Sequence, residues 1–130
     1  MQPRPQRVLI VDDNRDSADS LVTAFAVLGH EAVAAYGGRD GLARLAEVRP
    51  SLIVLDLSMP EMDGYALARA IRALPDYAAV PMVALSGFGS EADRVKSRES
   101  GFNRHMLKPF DLADLERMVE LVHSPASCPG

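Results

Sequence analysis

Ser51-Leu52-Ile53-Val54-Leu55-Asp56 is the stretch that decides the fold. Four branched apolar residues in succession, preceded by Pro50 and closed by an acid, are the signature of a strand covered on both faces. A strand with one wet face would alternate. Arg7-Val8-Leu9-Ile10-Val11 reads the same way and stops at Asp12-Asp13-Asn14. Between the two, Ala18, Leu21, Val22, Phe25 and Leu28 recur at helical spacing, and Gly29 follows where a left-handed cap needs no Cβ. Residues 31–36 then read as a second strand. Residues 40–48 read as a second helix with Leu42, Leu45 and Ala46 inward, ended by Pro50.

Downstream of Asp56, residues 57–64 are loop chemistry, and Leu67, Ile71 and Leu74 carry a third helix to Pro75. Residues 80–85 predict a fourth strand ending at Ser86-Gly87. Residues 91–100 predict a polar, solvent-facing helix closed by Gly101. Residues 104–107 predict a short fifth strand, after which Asp111 caps a last helix bearing Leu112, Leu115, Met118, Val119 and Val122. Strands that alternate with helices make a parallel sheet, because each parallel connection needs a crossover. The expectation is one α/β domain, a doubly wound five-stranded sheet of order 2-1-3-4-5, with a core over about 7–122 and short ends at 1–6 and 123–130. In that order the first and third strands are neighbours at the topological switch point, where ligands bind beyond the carboxyl ends. These are the strands that end in Asp12, Asp13 and Asp56.

Composition narrows the function. The chain has 130 residues, enough for one domain. At 48% apolar and 25% charged it is able to bury a core. Fourteen basic against eighteen acidic side chains give a net charge of −4, with no polybasic run, so neither nucleic acid nor an anionic membrane is the expected partner. The single cysteine, Cys128, has no intrachain disulfide partner, residues 1–6 have no apolar h-region of a leader behind them, and no apolar run is long enough to span a bilayer, so the cytoplasm is the expected compartment.

Three carboxylates at one sheet edge repel one another and must take up protons or hold a cation. An all-oxygen set with few carboxylates suits Mg²⁺, which keeps several waters and completes its shell with phosphate. The fifth strand runs into Leu107-Lys108-Pro109, bringing an ammonium to the same edge, and the fourth brings the hydroxyl of Ser86. A dication, an ammonium, a hydroxyl and a nucleophilic carboxylate suit phosphoryl transfer, which needs positioning and charge neutralisation above all. Taken singly, Asp12 or Asp13 reads more readily as a helix cap, a preference that the pair beside Asp56 reverses, while the turn-residue reading of Ser86 and the surface-lysine reading of Lys108 are the lesser ones.

The stretches Val11-Asp12-Asp13-Asn14, Leu55-Asp56-Leu57-Ser58-Met59-Pro60-Glu61-Met62-Asp63-Gly64, Leu85-Ser86-Gly87 and Leu107-Lys108-Pro109-Phe110 stand in this order at these strand ends. In them the chain resembles the receiver domain of two-component response regulators, from about Arg7 to Val122. The resemblance implies a flavodoxin-like (βα)5 fold and a phosphorylation-controlled signalling module, not a conventional enzyme, that assists its own phosphorylation and dephosphorylation. It implies that Asp56 accepts a phosphoryl group from a histidine kinase or a histidine phosphotransfer protein. Asp12, Asp13 and Asp56, with the backbone carbonyl of Ser58, match the Mg²⁺ ligands. Lys108 and Ser86 match the groups that meet the phosphoryl oxygens, and the face of the fourth helix, fifth strand and fifth helix matches the output surface. A cis Lys108-Pro109 bond is implied as well. Three residues before the lysine, where such domains usually carry a Tyr or Phe switch residue, this chain has His105. Ser58 and Phe88 occupy the positions beside the path of an attacking water, Phe88 as a steric gate. The stretch from Ser86 to Phe110 resembles receivers attached to hybrid histidine kinases, so a kinase in the same parent chain is a possible partner. The competing readings are a dehalogenase-type phosphatase, disfavoured because Ser58 stands where its second acid belongs, and a phosphorylation-independent pseudo-receiver, disfavoured by the complete set of site residues.

Overall fold

A computed structural model describes residues 6–57, 63–87, 91–108 and 111–123. In chain order it has β1 Arg7–Val11, α1 Arg15–Val27, β2 Glu31–Ala35, α2 Gly38–Val48, β3 Leu52–Asp56, α3 Gly64–Arg72, β4 Met82–Ser86, α4 Glu91–Glu99, β5 Arg104–Leu107 and α5 Leu112–His123. All pairings are parallel, in the order β2-β1-β3-β4-β5 expected from the sequence.

Each central strand divides its side chains between two cores, because successive residues of a strand point to opposite faces. Leu9, Val11, Ile53, Leu55, Met82 and Ala84 pack with Leu45, Leu67 and Ile71, beneath α2 and α3. Val8, Ile10, Leu52, Val54, Val83 and Leu85 pack with Leu21, Phe25, Leu115 and Met118, beneath α1 and α5. Burial on both faces is why these strands read as unbroken apolar runs.

The helix ends follow local chemistry. Asn14 caps α1, its side chain accepting from the Ser17 amide, so neither Asp12 nor Asp13 performs that role. Asp111 and Asp114 form a reciprocal capping box: the Asp114 amide donates to Asp111 Oδ1 at 3.0 Å, and the Asp111 amide donates to Asp114 Oδ2 at 2.9 Å. Gly29 has φ of 90°, the left-handed geometry anticipated for the end of α1.

Several boundaries differ from the sequence reading. α3 stops at Arg72, and Leu74 is exposed, because a single 3-10 turn at Pro75–Tyr77 intervenes before β4. Pro81 lacks an amide donor, and β4 begins after it at Met82. α2 starts at Gly38 and turns Ala46 to solvent. Half-buried Arg72 ties the connection between α3 and β4 to the turn between α4 and β5. Its guanidinium donates to the carbonyls of Tyr77 at 2.8 Å, Val80 at 2.6 Å and Gly101 at 2.7 Å, and to the Asn103 side chain at 2.8 Å. Burial lowers its pKa from the ordinary arginine value. Gly101, at φ 108°, is needed twice: a Cβ there would be strained and would lie 2.7 Å from Arg72 Cγ.

Candidate functional site

The parity of the strands builds the site. Asp12 continues the face of Val8 and Ile10, and Asp56 continues that of Leu52 and Val54. Lys108 continues that of Met106, which packs in the same core. Asp12, Asp56 and Lys108 therefore reach the carboxyl edge on the α1/α5 side. Ser86 continues the opposite face, that of Met82 and Ala84, and His105 lies across from Ala84 on β5. The backbone pins these ends. The Leu57 amide donates to the Leu85 carbonyl and the Lys108 amide to the Ser86 carbonyl, both at 2.9 Å. Gly64 is required beside them, since a Cβ there would lie 2.9 Å from the Leu57 side chain and 3.1 Å from the Asp56 carbonyl oxygen.

Asp12, Asp56 and Ser86 are buried, at 1%, 4% and 4% exposure. Lys108 Nζ donates to Asp56 Oδ2 at 2.6 Å, an ammonium placed directly on the carboxylate. Asp12 Oδ1 accepts from the Asn14 amide at 2.9 Å, whereas its buried Oδ2 has no hydrogen-bond partner among the described residues. Burial first, then the charge of Asp56, push the Asp12 carboxyl from its ordinary 3.8 up to about 6, against the opposing pull of the Asn14 amide and of Lys108.

Asp13 does not join them. The next residue along the strand direction points away, the chain turns into α1, and Asp13 is exposed. The expected triad of crowded carboxylates is thus a buried pair with an exposed neighbour, and among the described residues no group of three or more His, Cys, Asp or Glu forms a ready metal cage. The orphaned Oδ2 and the raised Asp12 pKa nonetheless fit a carboxylate built to meet a cation. Two carboxylates without a cage suit Mg²⁺, which retains water in most of its positions. Ser58, Phe88 and Pro109, and with them the carbonyl ligand, the steric gate and the cis bond, lie outside the described residues.

His105 is half-buried, and both ring nitrogens are engaged. Nε2 is 2.7 Å from Ser86 Oγ and Nδ1 is 2.9 Å from Ser97 Oγ. Ser97 is buried on α4. The helix expected to face solvent thus contributes a buried hydroxyl, and the imidazole bridges the site to α4. Sequence reasoning missed Ser97 because the helix around it, with Arg94, Lys96, Arg98 and Glu99, has no apolar stripe. Ser97 precedes His105 by eight residues with Gly101 between, the spacing of a helix folding back onto its following strand. A cleft of about 680 Å³ between α1 and α5 opens beside Asp12 and Lys108, with Leu21, Leu112 and Leu115 as its apolar lining.

A five-stranded doubly wound domain of order 2-1-3-4-5 defines the flavodoxin-like class of α/β proteins, and the carboxylate pair and lysine stand at the switch point where that class binds its ligands. The comparisons narrow the class. Residues 8–120 match the response regulator receiver domain, and the chain belongs to that family. It is 40% identical over 114 residues to the transcriptional regulatory protein PrrA of Mycobacterium leprae, covering 88% of this chain and 48% of that protein. It is 36% identical over 113 residues to a 14.6 kDa protein of Leptolyngbya boryana, covering 87% of this chain and 86% of that one. The chain spans about half the length of most of the curated relatives it matches most strongly, such as PrrA. Among solved structures, the chemotaxis protein CheY4 of Vibrio cholerae superposes with a TM-score of 0.86 at 26% identity, covering 92% of this chain and 99% of that one. The receiver domain of a signal transduction histidine kinase from Syntrophus aciditrophicus does so with a TM-score of 0.81 at 31% identity, covering 96% and 95%. The chain is thus a receiver-type signalling module of two-component systems, with no helix among the described residues long and apolar enough to cross a membrane.

Proposed function

We propose that Asp56 is a phosphoacceptor, taking a phosphoryl group from a phosphohistidine on a histidine kinase or histidine phosphotransfer protein. The observation that carries this reading is the buried carboxylate of Asp56, with a second carboxyl beside it and an ammonium at 2.6 Å. An Asp56 oxygen attacks phosphorus in line as the P–N bond breaks. The electron pair stays on the leaving imidazole, which takes a proton from water, and an acyl phosphate remains. Little covalent work falls to the protein; positioning and charge neutralisation do the rest. Lys108 follows the incoming phosphoryl oxygens and Ser86 donates its hydroxyl to one of them. Asp12 and Asp13, with Asp56 and the Ser58 carbonyl, would hold Mg²⁺. Bound there, Mg²⁺ supplies positive charge to the phosphoryl group. The same site admits water to the acyl phosphate, so the module also assists its own dephosphorylation.

The apolar cleft between α1 and α5 is the surface we assign to the donor protein, since it opens onto Asp12 and Lys108. The output runs the other way, from Ser86 through His105 to Ser97 on α4, and changes what α4, β5 and α5 bind. We read residues 1–130 as one receiver, acting in the cytoplasm on protein partners; neither nucleic acid nor membrane enters the reaction. The likeness to the Syntrophus aciditrophicus kinase receiver supports a kinase within the same parent chain as one such partner.

The test is incubation with Mg²⁺ and acetyl phosphate or phosphoramidate, followed by intact-mass measurement. The expected result is one base-labile phosphoryl group per chain, lost in Asp56→Asn. An undiminished adduct in that variant, or sustained phosphate release without an adduct, would overturn the assignment.

A further inference from the structure

β5 is an outer strand of the sheet, and a groove of about 510 Å³ runs along its free edge between α4 and α5. That is the size of a small-molecule site, about 300–1,000 Å³. Side chains of opposite parity on β5 go to opposite walls. His105 stands on the α4 wall, where it meets Ser97, whereas Arg104 shares the face of Met106, which packs with Leu115 and Met118 of α5. Arg94 and Arg98 flank buried Ser97 on the α4 wall, and Arg117 joins Arg104 on the α5 wall. Each wall thus carries two guanidiniums. Among the described residues the one carboxylate lining the groove is Asp114, and both its oxygens are engaged: Oδ1 accepts from Arg117 Nη1 at 2.8 Å and Oδ2 from the Asp111 amide at 2.9 Å. Arg94, Arg98 and Arg104 are exposed and have no ion pair among the described residues. Four arginines less one aspartate leave a lining of +3, on a chain whose net charge is −4. Like charges gathered around one concavity repel one another until an anion enters.

We infer that this groove is a binding site for a small organic diphosphate, a phosphate ester of nucleotide size, whose phosphates lie between Arg94 and Arg98 on one wall and Arg104 and Arg117 on the other. Guanidinium forks meet phosphate oxygens bidentately, which an ammonium does not do. Arg94 and Arg98 stand one helical turn apart, about 6 Å along the axis, a spacing that serves two phosphate groups rather than one. A diphosphate ester carries about −3 at pH 7, equal and opposite to the lining. The groove has room for the organic part of such an ester beside its phosphates. Nucleic acid fits less well, because a backbone leaving the groove would run along the exposed Asp111, Glu116 and Glu120 at and along α5. Neither Asp56 nor Mg²⁺ takes part in this binding, so the inference does not rest on the phosphoacceptor reading.

The test titrates ADP and GDP into the full chain in EDTA, without a phosphodonor, beside inorganic phosphate, citrate, a glutamate-rich peptide and a short DNA duplex. Backbone amide NMR shifts give both the affinity and the place of binding. Expected are shifts on α4, β5 and α5 with ADP or GDP, at an affinity about tenfold or more above that of inorganic phosphate. The R94Q/R98Q/R104Q triple variant should bind about tenfold more weakly, as the loss of three exposed charge pairs gives. The R39Q/R49Q variant, which removes exposed charges on and just after α2, should bind as the wild type does. Melting curves check that both variants are folded. The inference is overturned if neither diphosphate shifts this face, if the triple variant binds equally well, or if R39Q/R49Q loses as much affinity, which would mean a general field rather than a site. Inorganic phosphate binding as tightly as the diphosphates would mean an adventitious ion only. Citrate, the peptide or the duplex binding the groove more tightly than either diphosphate would overturn the ligand class.

Discussion

Replacing Asp12 with Asn should stabilise the metal-free protein, although it removes a proposed Mg²⁺ ligand. The substituted side chain keeps an oxygen for the Asn14 amide, now 2.9 Å from Asp12 Oδ1, and presents an amide donor where Oδ2 has no partner among the described residues. The magnitude follows from the carboxyl pKa, raised from 3.8 to about 6 by burial and by Asp56. Below pH 4 the group is protonated in both the folded and unfolded chains and contributes nothing. Between pH 4 and 6 the folded chain binds more protons than the unfolded one, so stability falls as pH rises, and above pH 6 the loss is complete. Two pH units correspond to about 3 kcal/mol, an upper bound because the site relaxes and admits water. Asp12→Asn should therefore gain about 1–3 kcal/mol at pH 7, or several degrees in Tm, and little at pH 4. Scanning calorimetry in EDTA from pH 4 to 8 measures this. Added Mg²⁺ should raise the wild-type Tm and leave the variant's where it was. A variant that melts at or below wild type at pH 7, with the same difference at pH 4, would refute the account of a strained carboxylate pair.

Asp13→Ala should change metal-free stability by less than about 0.5 kcal/mol, because Asp13 is exposed and outside the pair, yet should weaken Mg²⁺ binding followed by calorimetric titration; a large loss of stability with unchanged Mg²⁺ affinity counts against it. His105→Phe removes the ring partner of two buried hydroxyls, Ser86 and Ser97, and should cost about 1–3 kcal/mol in urea unfolding; an unchanged midpoint would mean those contacts add nothing to the fold. Arg72→Met keeps the aliphatic stem but strips donors from three carbonyls, and should cost about 2–4 kcal/mol while leaving phosphorylation of Asp56 intact; near-native stability would show that water replaces the guanidinium.

The strands and their order were legible in the sequence, since strands buried on both faces leave unbroken apolar runs and right-handed crossovers leave few topologies to choose from. Leu52 to Leu55 and Val8 to Val11 sufficed to place Asp56 and Asp12 at the switch point. Helix ends were legible where the signal is local, as at Gly29 and Asp111. Which neighbouring acid turned inward was not, because Asp12 and Asp13 are chemically equal and their parity against Val8 and Ile10 matters only once the sheet is formed. The partner of His105 was also hidden. Ser97 lies in a helix with a polar surface, and only the packing of α4 against β5 turns its hydroxyl toward the ring. Local pattern thus fixes what depends on neighbours along the chain, whereas side chains from strands and helices far apart in sequence meet only where packing brings them together.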